Sequence, residues 1–281
     1  MKQGSLPYLL LLPATLFLCL FFLYPFLLVA VEAFSADGQY TLSNFEEMFG
    51  HWKFSTAFWN TMLLALAVVP LQTCLALLMA KLVTKMTTGR DIFLYIFTIP
   101  LGISDLAAGI IWLAIFEQSG FLNSFMLALG VIDKPGILLG YQSVWLIFLA
   151  VVLAEIWRAT AIMLVILVAG MGLIPKEYDE AAQVFGANAW QRFIKITLPM
   201  LRPSLQTALI LRTILAFEVF AVVAALGGTT LPVLMGETYT WQFDFQDRGV
   251  AAAFAMVILA ISIAFTLVFL RLLRVPKGAS I

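Results

Sequence analysis

Charge is scarce in this chain: 11% of its 281 residues are Asp, Glu, Lys or Arg, while 63% are hydrophobic. A water-facing domain carries about a quarter charged residues, so this composition excludes an ordinary soluble fold. The net charge is zero, with 16 basic and 16 acidic residues, which leaves no basic face for nucleic acid. Histidine occurs once, at His51, with no cysteine or second histidine close by, so the ligand set of a metal centre is missing. The two cysteines, Cys19 and Cys74, sit in apolar runs, form no CxxC pair and read as small packing residues. A Walker-type phosphate loop is absent, which excludes ATP hydrolysis by that route. The lack of a nucleophile–base pairing argues against an intramembrane enzyme.

Long apolar runs fill the space that charge leaves. Six of them, near 8–33, 57–83, 92–116, 143–170, 204–226 and 249–271, are long enough to cross a hydrocarbon core of about 30 Å. The expected fold is therefore an all-α membrane protein of six transmembrane helices, one membrane domain over 1–281 with a polar loop at 171–203. The first run follows Lys2 but is longer than a signal-peptide core and lacks a small-x-small cleavage site, so it reads as a retained anchor. One set of loop ends carries Lys2, Lys81, Lys85, Arg90, Lys176, Arg192, Lys195, Arg202, Arg271, Arg274 and Lys277; the other carries Lys53, Lys134 and Arg248. That bias places both termini and the 171–203 loop in the cytoplasm. In the first outer loop, Ser43 or Asn44 is expected to cap a short helix bearing Glu46 and Glu47.

The polar loop is unusually articulated. Tyr178, Ala181, Ala182 and Phe185 recur at helical spacing, Pro175 suits the first turn and Gly186 suits a left-handed terminator. Asn188 with Gln191 three residues on has the pattern of a capping box for a second helix. In that helix Trp190, Phe193, Ile194 and Thr197 share a greasy face and Arg192 and Lys195 point elsewhere, which suits a helix lying at the membrane surface. On these residues alone the loop either packs on its own bundle or receives another protein.

The spacing Glu180-Ala181-Ala182, then Gly186, then Ile196 and Leu198-Pro199 resembles the signature loop of importer-type ABC transporter permeases. Its context, IPKEYDEAAQVFGANAWQRFIKITLPMLRPSL, is similar to the binding-protein-dependent sugar branch, of maltose, trehalose and glycerol-phosphate type. The segments YLLLLPATLFLCLFFLYPF, NFEEMF, WNTMLLA and AEIWRATAIMLVILVAGM and the pair Gly227-Gly228 extend the likeness over almost the whole chain. The first of these resembles a MalF-like subunit. The resemblance implies a type I ABC importer permease fold in a prokaryotic cytoplasmic (inner) membrane, with no chemistry and no cofactor on this chain. It implies two cytoplasmic ATPase subunits that bind ATP and Mg2+, a second and different permease subunit, and an extracytoplasmic sugar-binding protein. Carried across, Tyr178, Glu180, Ala181, Ala182, Phe185, Gly186 and Ala189 form the ATPase-coupling element, with Glu180 pairing a basic group and Gly186 permitting the turn. Two departures, Thr229-Thr230 after the paired glycines and Phe217-Glu218 in the fifth span, bear on the substrate rather than the class.

Five ionisable groups fall inside the spans: Asp105, Glu155, Arg158, Arg212 and Glu218. At 1.5 Å rise per residue, the three acids lie within about 3 Å of one depth. A charge there costs roughly 2.5–3.5 kcal/mol on the mildest scale, so each needs a partner. Glu155 and Arg158 are three apart and can pair on one helix face. Asp105, Trp112, Glu155, Arg158, Phe217 and Glu218 are the candidate substrate-path residues; the competing reading makes them packing and inter-helix contacts. Pro100, Gly102 and Gly109 are places where the third span is expected to bend or break. The sequence shows no Arg or Lys cluster suited to a phosphate ligand, which favours a neutral oligosaccharide; the resemblance implies an α-glucoside of the maltose or trehalose class. The alternative is an ion-gradient-driven transporter that loads midplane carboxylates.

Overall fold

The computed structural model describes residues 6–274, and these are mostly helical. In chain order the helices are α1 (Tyr8–Ala33), α2 (Ser43–Gly50), α3 (Phe54–Lys85), α4 (Arg90–Thr98), α5 (Asp105–Phe116), α6 (Phe121–Ala128) and α7 (Val144–Gly172). After these come α8 (Lys176–Val184), α9 (Ala189–Arg192), α10 (Arg202–Phe217), α11 (Ala221–Leu226), α12 (Leu234–Tyr239) and α13 (Arg248–Leu272). The chain divides into two compact units, Met1–Ser55 with Leu234–Leu259 and Thr56–Val233 with Ala260–Ile281. Lys2 and Lys277, counted above for orientation, lie outside the described residues.

In the first unit α1 is an apolar rod with none of its most hydrophobic stretch buried, as a helix facing lipid tails would be. Cys19 lies exposed on it and Cys74 lies exposed on α3, so neither is the packing residue expected from its apolar surroundings. After α1 a two-residue hairpin pairs Ser35–Ala36 with Gln39–Tyr40 through Asp37 and Gly38, both at positive φ. The expected cap of α2 is replaced by another use of the same residue. Leu42 holds the cap position, and Asn44 is buried with its amide donating to the carbonyls of Glu32, Ala33 and Ser35 at 3.0–3.2 Å. Carbonyls at the end of α1 and in the hairpin that follows are satisfied this way. A Cβ on Gly249 would strike that asparagine, so the start of α13 needs a glycine there.

The second unit holds two apolar clusters. One gathers Leu64 and Val68 of α3, Ile147 and Val151 of α7 and Val222 and Val223 of α11. The other gathers Ala76 and Ala80 of α3, Met163, Leu164 and Leu167 of α7, and Leu205 and Ala208 of α10. Close approach depends on small residues, as expected where lipid removes the hydrophobic drive for helix association. A Cβ on Gly109 would lie 2.6 Å from Ala225, and one on Gly170 would collide with Ser204.

Two apolar stretches are interrupted. The stretch 92–116 is not one helix: α4 ends at Thr98, Ile99–Gly102 form a 3-10 turn and Ile103 is extended before α5 begins. Pro100 supplies no amide donor to continue the helix, which accounts for the break. Gly109, by contrast, leaves α5 unbroken and serves packing. The stretch 204–226 divides as well, with α10 ending at Phe217 and α11 starting at Ala221. Among the described residues, five helices or helix pairs keep the length and apolarity of a membrane span, and the divided 204–226 stretch is outside that set.

Candidate functional site

Between the two apolar clusters lies a single polar layer. Gln72 sits four residues after Val68 and four before Ala76 on α3; Glu155 sits four after Val151 and four before Ala159 on α7. Arg212 sits four after Ala208 and four before Ala216 on α10. Each polar residue is thus one helical turn from buried apolar neighbours on the same face, and all three are buried. Arg212 Nη2 donates to Glu155 Oε2 at 2.6 Å and its Nε donates to Gln72 Oε1. Gln72 Nε2 in turn donates to the Glu155 backbone carbonyl at 2.6 Å. The layer therefore ties three helices with charge-assisted bonds, which offset the cost of burying ions only because they close on one another.

The chain of charges continues outward. Arg158 reaches Glu155 at 3.8 Å, across the expected three-residue spacing, but its tighter partner is Asp105 at 2.7 Å. Asp105 stands at the first position of α5, directly after the broken segment, and is half-exposed. Ser104 caps this helix, accepting from the Ala107 amide at 3.2 Å. Glu155 thus takes Arg212 as its main partner, where the sequence pairing offered Arg158. Glu218 is not part of the layer; it is the cap residue just after α10, exposed and without an ion pair to the described residues.

The two aromatic candidates are packing contacts in this conformation. Trp112 stacks on Phe116 at 5.5 Å and meets Trp157 edge-on at 6.2 Å. Phe217 is 1% exposed, with its ring edge-on to Phe265 at 5.1 Å. Of the six path candidates, the structure joins Asp105, Glu155 and Arg158. It adds Gln72 and Arg212, whose signal was a polar residue repeated on an otherwise small, apolar face.

The elbow is built differently. α8 carries Glu177 and Asp179 in its first turn, where carboxylates favour the helix dipole. It ends in a complete Schellman turn: Gly186 N donates to Gln183 O at 3.0 Å and Ala187 N to Ala182 O at 2.9 Å. Gly186 has φ +79°, and a Cβ there would touch nothing, so the glycine answers a backbone demand alone. Asn188 then caps α9, its side chain accepting from the amides of Trp190 and Gln191, while Gln191 returns a bond to the Asn188 amide at 2.9 Å. Beyond α9 the residues Phe193–Thr197 take a wider π turn, which ends the simple two-face pattern read from the sequence. Arg192, expected to point away, turns back to Asp179 at 3.4 Å and braces α8. Lys81 of α3 lies over the Phe193 ring at 4.4 Å.

This brace presents α8 rather than covering it. Tyr178, Glu180, Ala181, Gly186 and Ala189 are exposed, and Phe185 is 90% exposed. Ala182 alone of the coupling candidates is half-buried. In the other unit, Glu237 of α12 is buried 3.9 Å from Lys53, and burial raises its carboxyl above the usual range against the opposing pull of Lys53 and His51.

A family model described as binding-protein-dependent transport system inner membrane component matches residues 72–275. The trehalose/maltose transport system permease protein MalF of Thermococcus litoralis is 29% identical, over 97% of this chain and 95% of that one. The α-glucoside transport system permease protein AglF of Rhizobium meliloti is 34% identical, over 92% of this chain and 80% of that one. Among solved structures, a bacterial ABC transporter involved in the import of the acidic polysaccharide alginate superposes with a TM-score of 0.83 at 21% identity. That match covers 97% of this chain and 96% of the other, and it shows a shared fold.

Proposed function

This chain belongs to the binding-protein-dependent transport system inner membrane component family, and we propose that it carries a neutral oligosaccharide of the α-glucoside class, such as maltose or trehalose. It is a multi-pass inner-membrane permease subunit of a sugar ABC importer. In the proposed complex two cytoplasmic ATPase subunits bind and hydrolyse ATP with Mg2+, and this chain holds no cofactor and performs no catalysis. A second, different permease chain completes the path, and an extracytoplasmic sugar-binding protein delivers the ligand. Both termini and the α8–α9 elbow face the cytoplasm.

The observation that carries this reading is the exposed, braced α8. A short helix followed by Phe185, 90% exposed, is closed at its C-terminal end by the Schellman turn and braced by Arg192, yet no described element covers it. A greasy tip held rigidly in water fits a cleft on another protein. Closure of the ATPase pair would push α8, and the brace would pass that motion to the membrane helices. The interruptions at Ile99–Ser104 and Glu218–Phe220 are the natural hinges. ATP binding needs only to favour one access state over the other by enough to shift the population.

A neutral substrate is supported by the charge layer. Asp105 and Glu155 neutralise Arg158 and Arg212, so no free cation remains in the layer to meet an anionic sugar. A gradient-driven carrier would need loadable carboxylates, and two of the three candidates are held by arginines.

The test is ATP-dependent uptake of labelled maltose and trehalose by the purified complex in proteoliposomes, with Glu180→Lys as the coupling variant. Uptake of an α-glucoside that Glu180→Lys abolishes, with membrane insertion intact, is the expected result. Normal uptake by Glu180→Lys removes the coupling assignment, and transport of only anionic sugars removes the substrate assignment.

A further inference from the structure

No stretch of the sequence reads as a phosphate site, yet the fold gathers five cations around one cavity. The cavity, about 570 Å3, opens among the end of α3, the start of α4, the end of α7 and the α8–α9 elbow. Lys81, Lys85, Arg90, Lys176 and Arg192 line it, against Asp179 as the one carboxylate in its wall. Its size is that of a small-molecule site, for which about 300–1,000 Å3 is usual. Asp179 forms an ion pair with Arg192 Nε at 3.4 Å, and both Nε and Nη1 of Arg192 are shut from solvent with no hydrogen-bond partner. A buried guanidinium donor without a partner, beside four further cations, calls for an anion with several acceptor oxygens.

We propose that this cavity binds the phosphate headgroup of an anionic phospholipid. Phosphate oxygens match both the guanidinium fork of Arg192 and the point charges of the lysines. The lipid is favoured over a soluble phosphate by what flanks the cavity. Leu82 next to Lys81, Ile92 two residues after Arg90 and Trp190 two before Arg192 are all more than 60% exposed. Exposed apolar side chains and a tryptophan beside a ring of cations mark the depth where tails give way to headgroups. Basic pockets between membrane helices are suited to such headgroups.

The position gives the lipid a consequence. Lys176 opens α8, and Arg192 is the brace that ties α9 back to α8 through Asp179. A bound headgroup competes with Asp179 for Arg192 and so loosens or re-seats the elbow. Its effect on transport rests on the coupling role proposed above, but the binding does not, and the two are measured separately.

The experiment counts lipids retained by the purified full-length chain in its complex, by native mass spectrometry after incubation with phosphatidylglycerol or phosphatidylcholine. The variant is Lys85→Gln with Arg90→Gln, which leaves the Asp179–Arg192 brace untouched. Each lost cation is expected to weaken phosphatidylglycerol retention about five-fold, from about 1 kcal/mol per surface cation, so the double variant loses about twenty-five-fold. Phosphatidylcholine retention is expected to be weak and unchanged. Equal phosphatidylglycerol retention by wild type and variant overturns the proposal. A second arm titrates inorganic phosphate and glycerol phosphate into the lipid-stripped complex. Cation-dependent binding of these with no retained phosphatidylglycerol would assign the cavity to a soluble phosphate and overturn the lipid. Retained phosphatidylglycerol in a complex whose uptake is insensitive to Glu180→Lys would support the site while removing the coupling role.

Discussion

The charged layer and the elbow lie in one unit of the chain and use similar residue types to opposite ends. In the layer, every ionic group is answered by another group of the same chain: Arg212 by Gln72 and Glu155, and Arg158 by Asp105. In the elbow Glu177, Asp179 and Glu180 are exposed, Arg192 is tucked behind them against Asp179, and the apolar Phe185 is exposed as well. Polarity that closes on itself fixes helices against one another. Polarity braced from behind, with an uncovered apolar tip in front, fits the partner-facing role proposed for the elbow. The distinction is energetic: a substitution in the layer should cost stability, and one at the elbow should cost coupling.

The largest effect is expected at the centre of the layer. Arg212→Ala leaves the Glu155 carboxylate with only the 3.8 Å approach of Arg158 and should cost about 3–5 kcal/mol, the usual penalty for removing one partner of a buried pair. Thermal unfolding of the detergent-solubilised complex, followed by loss of its monodisperse peak, measures this. The double variant Arg212→Met with Glu155→Leu should recover most of the loss, because it removes the ions together. If the double is as unstable as the single, the layer does more than hold helices together.

A middle effect is expected at the hinge of the elbow. Gly186→Ala places a Cβ where φ is +79° but meets no neighbouring atom, so it should cost about 1–2 kcal/mol of backbone strain alone. Gly186→Asn should cost less, since asparagine visits the left-handed region more readily. Uptake should follow the same order, Asn above Ala, while thermal stability of the membrane bundle stays near wild type. Equal loss in both variants would point to the volume of the side chain against a docked partner instead of to the turn.

How much of this was legible depends on whether the cause was local. The elbow was readable because its caps are near-neighbour chemistry: Gly186 after Phe185, and Asn188 three residues from Gln191, act within one turn. The break before α5 was readable for the same reason, since Pro100 cannot donate to the helix before it. The layer was only half-readable. Burial cost required partners for Arg212 and Glu155, but the choice of partner is a fact of tertiary register, set 57 residues apart in sequence. Gln72 carried no charge to draw attention and was missed for that reason. Asn44 misled because an asparagine early in a helix is a good cap, and the three carbonyls that claim it instead come from the preceding helix end and hairpin. The cationic cavity was invisible because Lys81, Lys85 and Arg90, near one another in sequence, meet Lys176 and Arg192 only through the tertiary fold.

The smallest effect on stability and the sharpest on function should fall on one residue. Phe185 is 90% exposed and makes no ring contact among the described residues, so Phe185→Ala should change thermal stability by no more than about 0.5 kcal/mol. If α8 seats in an ATPase cleft, the same variant removes a large apolar anchor there, and anchors of this kind dominate interface energies. ATP-driven uptake should then fall at least tenfold, about 1.4 kcal/mol or more, in a complex that is as stable as wild type. Co-purification of the ATPase subunits gives the second reading, since a lost anchor weakens assembly as well as transport. An uptake rate within experimental error of wild type would erase the contrast between layer and elbow, and would return α8 to the status of a solvated loop helix.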